Sequence, residues 1–208
     1  MIARVLDVGC GSGQSLAEDV AARESQGVPT ACRQLIGVDI DFEALRTAKQ
    51  LYPQFYFVCA RGELLPFRTA SVEEVISRIA IPYMNIPVTL REMRRVLKIK
   101  GELRIKLHPL SYTWSELMTE LRSGPLSQRL KNLVYRLYVI ANGLTLHFAG
   151  FNFRFPLARR RCESFQSQSG ISRALAAAGF EDIDTSCWVT KIRRPHAGNC
   201  RAIATRRD

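Results

Sequence analysis

The residues best placed to do chemistry lie near the amino terminus, in RVLDVGCGSGQS (4–15). An apolar run reaches Asp7, and Gly9, Gly11 and Gly13 follow at alternate positions. Glycines after a strand let the backbone approach a ligand closely, because no Cβ stands in the way. A dinucleotide fingerprint, G-x-G-x-x-G, needs a small third residue, and counting from Gly9 and Gly11 that place holds Gln14. The next acidic candidate, Asp39, lies further downstream than the usual spacing of about 20 residues. A carboxylate at Asp7 would also repel a pyrophosphate, whereas it would attract a cation.

S-adenosylmethionine is such a ligand: a sulfonium and an ammonium without a phosphate, together with a ribose diol and an adenine. An acidic residue near the turn can hold the ammonium, and a second at the end of the next strand can accept both ribose hydroxyls. On these residues the sequence resembles the class I S-adenosylmethionine-dependent methyltransferases, of the methyltransferase type 11-like kind. VLDVGCGSG is similar to their first motif and IGVDIDFEAL to their second. ARGELLPF (60–67) looks like the adenine-side loop, and EEVISRIAI followed by LREMRRVLKIKGELRI resembles the segment that ends in R-V-L-K-P-G-G. The resemblance covers residues 4–108 and, more weakly, 165–206.

The resemblance implies roles. Gly9, Gly11 and Gly13 form the turn around the methionine part, and Asp7 helps hold its ammonium. Asp39 takes the ribose hydroxyls, Ile40 packs on the adenine, Arg61 and Gly62 border the adenine edge, and Arg78 faces the cofactor. Departures from the family pattern are also visible. Arg61 replaces an aspartate and cannot accept a hydrogen bond from the adenine amino group. Ile99-Lys100 replaces the usual P-G before Gly101. The family places one or two helices ahead of the first strand; here the strand comes at once, so closure is expected from a part truncated from this sequence or from a cap.

Two residues are candidates for the chemistry of transfer. Tyr83, in AIPYMN (80–85), is expected to face the transferring methyl. Ile81 occupies the place where an N-P-P-Y loop carries its polar acceptor, which speaks against amino-group methylation. His108 ends a strand at the carboxyl edge of the sheet, where a histidine can serve as general base; the alternative is a structural histidine before Pro109. His147 reads as a packed or lining residue and His196 as a turn residue. Arg159, Arg160 and Arg161, with Lys191, Arg193 and Arg194, read as an anion or RNA patch or as solvated basic loops.

Strands and helices must alternate to place these groups. Strands are predicted at 4–9, 33–40, 54–60, 72–79 and 102–108. Helices are predicted at 14–23, from Asp41 as N-cap to Pro53, at 87–98 and at 167–180 with Gly179 as the stop. DIDTSCWVTKI and CRAIATR read as a closing antiparallel hairpin. The fifth strand alternates Leu103, Ile105 and Leu107 with Glu102, Arg104 and Lys106. A strand buried on both faces should not alternate; one face must be thinly covered or its charges paired. Residues 109–160 break the rhythm and read as an inserted helical cap. Within it, NLVYRLYVIANGLTLHFAGF (132–151) is too polar to span a bilayer; it reads as a buried cap helix, a pocket lining or a membrane-surface contact.

The expectation is one domain over 1–208, α/β and Rossmann-like. Its seven-stranded, mostly parallel sheet has the order 3-2-1-4-5-7-6 implied by the resemblance, with the last strand antiparallel and helices on both faces. The chain has 208 residues, 47% hydrophobic and 24% charged, enough for a full core. Six cysteines without a CxxC pair speak against a zinc site or disulfide framework, and no signal peptide or transmembrane run is read, so a cytoplasmic location is expected. The net charge of +11 suits nucleic acid, an anionic membrane surface or an acidic substrate. The leading functional expectation is methyl transfer from S-adenosylmethionine to a small apolar or anionic molecule. The alternatives are RNA methylation and a non-catalytic partner protein with the same fold.

Overall fold

The computed structural model describes residues 3–27, 33–107, 110–122, 125–153, 163–185 and 200–206. The strands are β1 (Ala3–Val8), β2 (Arg33–Asp39), β3 (Tyr56–Cys59), β4 (Val72–Arg78), β5 (Leu97–Leu107), β6 (Phe180–Asp184) and β7 (Cys200–Arg206). They form a single seven-stranded sheet in the order β3-β2-β1-β4-β5-β7-β6. The first five strands run parallel, and β7 is antiparallel to both β5 and β6. The order and the antiparallel closing strand are those expected.

The described residues form six helices: α1 (Gln14–Ser25), α2 (Phe42–Leu51), α3 (Ile86–Val96), α4 (Leu110–Arg122), α5 (Leu126–Ala149) and α6 (Gln168–Ala177). Period-two alternation in the strands divides the core in two. Val5, Leu35 and Ile76 pack with Leu16 of α1 on one face. Leu6, Val8, Val75 and Leu103 pack with Leu90 and Met93 of α3 and Leu175 of α6 on the other. α2, α3 and α6 start where a short polar side chain satisfies the first amides. Asp41 accepts from Glu43 and Ala44, Asn85 from Val88, and Ser167 from Gly170.

Boundaries differ from expectation where tertiary pairing extends or trims an element. β5 begins at Leu97, because Leu97 pairs with Val72 across an irregularity between Val72 and Glu74. Asn85 rather than Pro87 opens α3. β6 runs Phe180–Asp184, earlier than the expected 182–192, of which 186–192 lie outside the described residues. The basic residues Arg159, Arg160, Arg161, Lys191, Arg193 and Arg194 also lie outside them, as do His108 and His196.

The charges on the second face of β5 are paired. Arg104 of β5 reaches Glu74 of β4 and, at 2.9 Å, Asp19 of α1. Arg23 bonds the same two carboxylates at 2.6 Å each, and Arg33 adds a contact to Glu74 at 2.9 Å. Glu74 is buried, and a buried carboxylate is tolerated only with such partners.

Candidate functional site

The glycine turn is held by strand-end hydrogen bonds. The amides of Gly9 and Cys10 both donate to the Val38 carbonyl at 2.8 and 3.1 Å, tying the turn to β2. The Ser77 hydroxyl donates to the Val8 carbonyl at 2.7 Å, tying it to β4. Two glycines carry the geometry. At Gly9 (φ 80°) a Cβ would fall 2.1 Å from the Ala80 Cβ, so close packing forbids a side chain. At Gly11 (φ 52°) a Cβ would meet nothing within 4 Å, so the turn leaves open space there. Such space admits a ligand against bare backbone.

Asp39 closes the turn from the tip of β2. Its Oδ2 accepts from the Gly11 amide at 2.8 Å and its Oδ1 from Asp41 N at 2.9 Å. Each carboxylate oxygen retains a further acceptor position, so the group can still receive hydroxyls. Ile40 and Phe42 stand beside it, 67% and 63% exposed, as an apolar shelf.

Asp7 differs from every other acid among the described residues. It is fully buried two residues before the turn, and neither carboxylate oxygen has a hydrogen-bond partner. Burial pushes its pKa up to about 7, against the pull of Arg78, with Asp39 and Asp19 adding to the rise. Burial likewise raises the neighbouring Cys10 thiol, which is therefore no nucleophile at neutral pH. A buried orphan carboxylate is costly, and a cationic group in the turn would satisfy it.

The loop over 60–67 is clamped from beneath by α3. Arg95 donates to the carbonyls of Leu65 and Phe67, while Glu92 accepts from the Leu65 amide at 3.0 Å and pairs with Arg95. The Arg95 hydrogen bond holds the Glu92 carboxyl below its ordinary range. Glu63 accepts from the Asn85 amide at 3.1 Å, fixing the loop to the start of α3.

These parts surround a cavity of about 840 Å³ at the carboxyl ends of β1, β2, β3 and β4. Of the residues singled out in the sequence, Gly9, Asp39, Ile40, Arg61, Gly62 and Tyr83 line it. Arg61 also approaches Glu63 at 3.6 Å. Gly62 sits where a Cβ would fall 2.6 Å from the Met84 sulfur, so the close approach is required. Arg78 is turned toward α1, where it pairs with Glu18 at 2.5 Å; it acts on the site through its charge beside Asp7. Gly13 packs under Tyr52 and Phe57. His147 shares a 2.7 Å hydrogen bond with Ser167, between α5 and α6. Phe42, Ala80 and Met84 line the cavity without having been singled out. Only adjacency to the second motif and to AIPYMN could have flagged them, since an apolar residue facing a cavity reads like one facing a core.

The chemistry of this donor set fits S-adenosylmethionine. Open space stands at Gly11, an orphan carboxylate lies beneath, an acceptor caps the next strand and an apolar shelf lies alongside. A family model described as a methyltransferase domain matches residues 6–105. A malonyl-[acyl-carrier protein] O-methyltransferase from Methylovorus sp. is 31% identical over 186 residues, 84% of this chain and 59% of that one. The chain spans less than two thirds of the length of the curated relatives it matches. Among solved structures, the CMeT domain of the citrinin polyketide synthase superposes with a TM-score of 0.63 at 16% identity, covering 99% of this chain and 47% of that one. Geranyl diphosphate C-methyltransferase from Streptomyces coelicolor, solved with S-adenosyl-L-homocysteine, gives 0.57 at 14%, covering 98% and 72%. Residues 6–105 thus match a methyltransferase domain with their motifs in order, on the seven-stranded sheet of a class I methyltransferase fold.

Proposed function

We propose that the chain transfers a methyl group from S-adenosylmethionine to a small apolar or anionic acceptor. The observation that carries this reading is the pairing of an open glycine cradle with the unpartnered, buried carboxylate of Asp7. When bound, the cofactor supplies an electrophilic methyl on a sulfonium, so the protein's share is to orient and to shield. In this reading Asp7 receives the ammonium, Asp39 the ribose hydroxyls, and Ile40 and Phe42 the adenine. Tyr83 and Met84 form the wall on the side from which an acceptor enters. His108 is retained as the candidate base for an acceptor that is protonated at neutral pH.

In this reading α4 and α5 are the cap of a single domain. Its coupling to the site is supported by Asn152, which donates to the Met84 carbonyl at 2.8 Å and accepts from the Ile86 amide at 3.0 Å. An anionic, oxygen-bearing acceptor is supported by the relatives named as malonyl-[acyl-carrier protein] O-methyltransferases. Calorimetry with S-adenosylhomocysteine, and turnover of methyl-labelled cofactor in a small-molecule extract, test the proposal. Binding with label transfer is the expected result. Binding without transfer to any extract fraction would favour a non-catalytic partner, and label appearing only in RNA would move the acceptor class.

A further inference from the structure

Among the described residues, none covers the second face of α5. Leu126, Leu130, Val134, Leu137, Leu144 and Phe148 are 44% to 82% exposed. Their spacing of three and four residues, with exposed Ala141 filling the gap, sets them in one stripe within an arc of about 80° at 3.6 residues per turn. The stripe is about 33 Å long at 1.5 Å per residue. From Val134 to Ala149 every exposed residue of α5 is apolar. The polar residues Arg136 and Asn142 of this helix point the other way. Arg136 pairs with Glu116 and Glu120 at 2.6 and 2.8 Å, and Asn142 is buried against the Glu163 carbonyl.

Charge at the two ends of the stripe indicates what covers it. α5 contains no aspartate or glutamate. Arg122 and Lys131 are exposed near Leu126 and Leu130. At the other end Phe148 shares a cleft of about 270 Å³ with Arg91 of α3 and Arg173 of α6. A second copy of this chain would bring cations against cations, and the whole chain carries +11. An anionic lipid surface complements both features, taking the apolar stripe at acyl depth and the arginines and lysine at headgroup level. Among the described residues no helix is long and apolar enough to cross a membrane.

We propose that the exposed face of α5 docks the protein on an anionic bilayer surface, with its apolar stripe in the interface and its flanking cations on the headgroups. Co-sedimentation of the full chain with phosphatidylcholine vesicles, with and without phosphatidylglycerol, tests it. Binding is expected only to the anionic vesicles. Leu137→Ser with Phe148→Ser, and separately Arg122→Gln with Lys131→Gln, are expected to weaken it by about tenfold or more. Circular dichroism and S-adenosylhomocysteine binding check that the variants are folded. Hydrogen exchange on the unaltered chain gives a readout independent of them: amides of α5 gain protection when anionic vesicles are added. Binding untouched by the serine variant, no added protection along α5, or a dimer that the serine variant dissociates without vesicle binding would each overturn the proposal.

Discussion

The glycine turn and the α4–α5 pair each bury an ionisable side chain, and they treat it in opposite ways. Arg136, its side chain 8% exposed, meets Glu116, Glu120 and Glu163, and the Glu120 hydrogen bond holds it protonated above the ordinary arginine range. Asp7, fully buried, meets no hydrogen-bond donor. The first charge has its desolvation offset within the fold, so it serves as scaffolding. The second does not: within the fold its carboxyl is held protonated to about pH 7, and in the proposed reading a cationic ligand group compensates its charge. Burial by itself does not mark a functional group; burial without a partner, beside open space, does.

That contrast can be tested, starting where the effect is largest. Arg136→Ala strands three carboxylates and is expected to cost about 3–5 kcal/mol in urea unfolding. Cofactor affinity should be untouched where the protein remains folded; a variant that is stable yet fails to bind would dissolve the division. For Asp7 the unfolded chain ionises near 3.8 while the folded one does so at about 7. The contribution of Asp7 to the stability of the ligand-free protein is therefore fully present below about pH 4 and is lost as pH rises from there through about 7, by about 4 kcal/mol. Asp7→Asn should flatten that profile in thermal melts. It should also abolish the tightening of S-adenosylhomocysteine binding expected as pH rises through about 7.

Gly11→Val fills the cradle and forces a β-branched residue into the left-handed region. Calorimetry should show at least about a hundredfold loss of affinity, roughly 2.7 kcal/mol. Asp39→Ala is expected to match it, because it removes both a ligand acceptor and the Gly11 amide's partner. Wild-type affinity in both variants would dismiss the site. Asp41 belongs to both regimes, lining the cavity and capping α2. Asp41→Ala should cost about 1 kcal/mol of stability, with a modest loss of affinity.

Much of this was readable from local signals. Gly9, Asp39, Ile40, Arg61, Gly62 and Tyr83 all line the cavity because motif residues sit at strand ends, and strand ends are set by short-range pattern. The direction of Arg78 was not readable. Placed by its strand end toward the cofactor, it instead turns to Glu18, whose position depends on how α1 packs across β1 and β4. The alternation of β5 left coverage and pairing equally open, and only the approach of Asp19 and Glu74 to Arg104 decided it. In α5 the polar residues Arg136 and Asn142, which argued against a bilayer span, are buried, while Leu137, Leu144 and Phe148 face outward.

The strand and helix alternation, the glycine turn and the acidic residues beside it are all written in the amino-acid order. These follow from hydrophobic period, capping chemistry and backbone freedom, all of which act within a few residues. Which charges are satisfied and which described surfaces stay exposed is settled by how the elements pack. Partners such as Glu74 and Arg104, or Arg136 and Glu163, are joined by folding rather than by spacing along the chain. Desolvation, which makes an unpartnered Asp7 costly, exists only once the surrounding elements have excluded water.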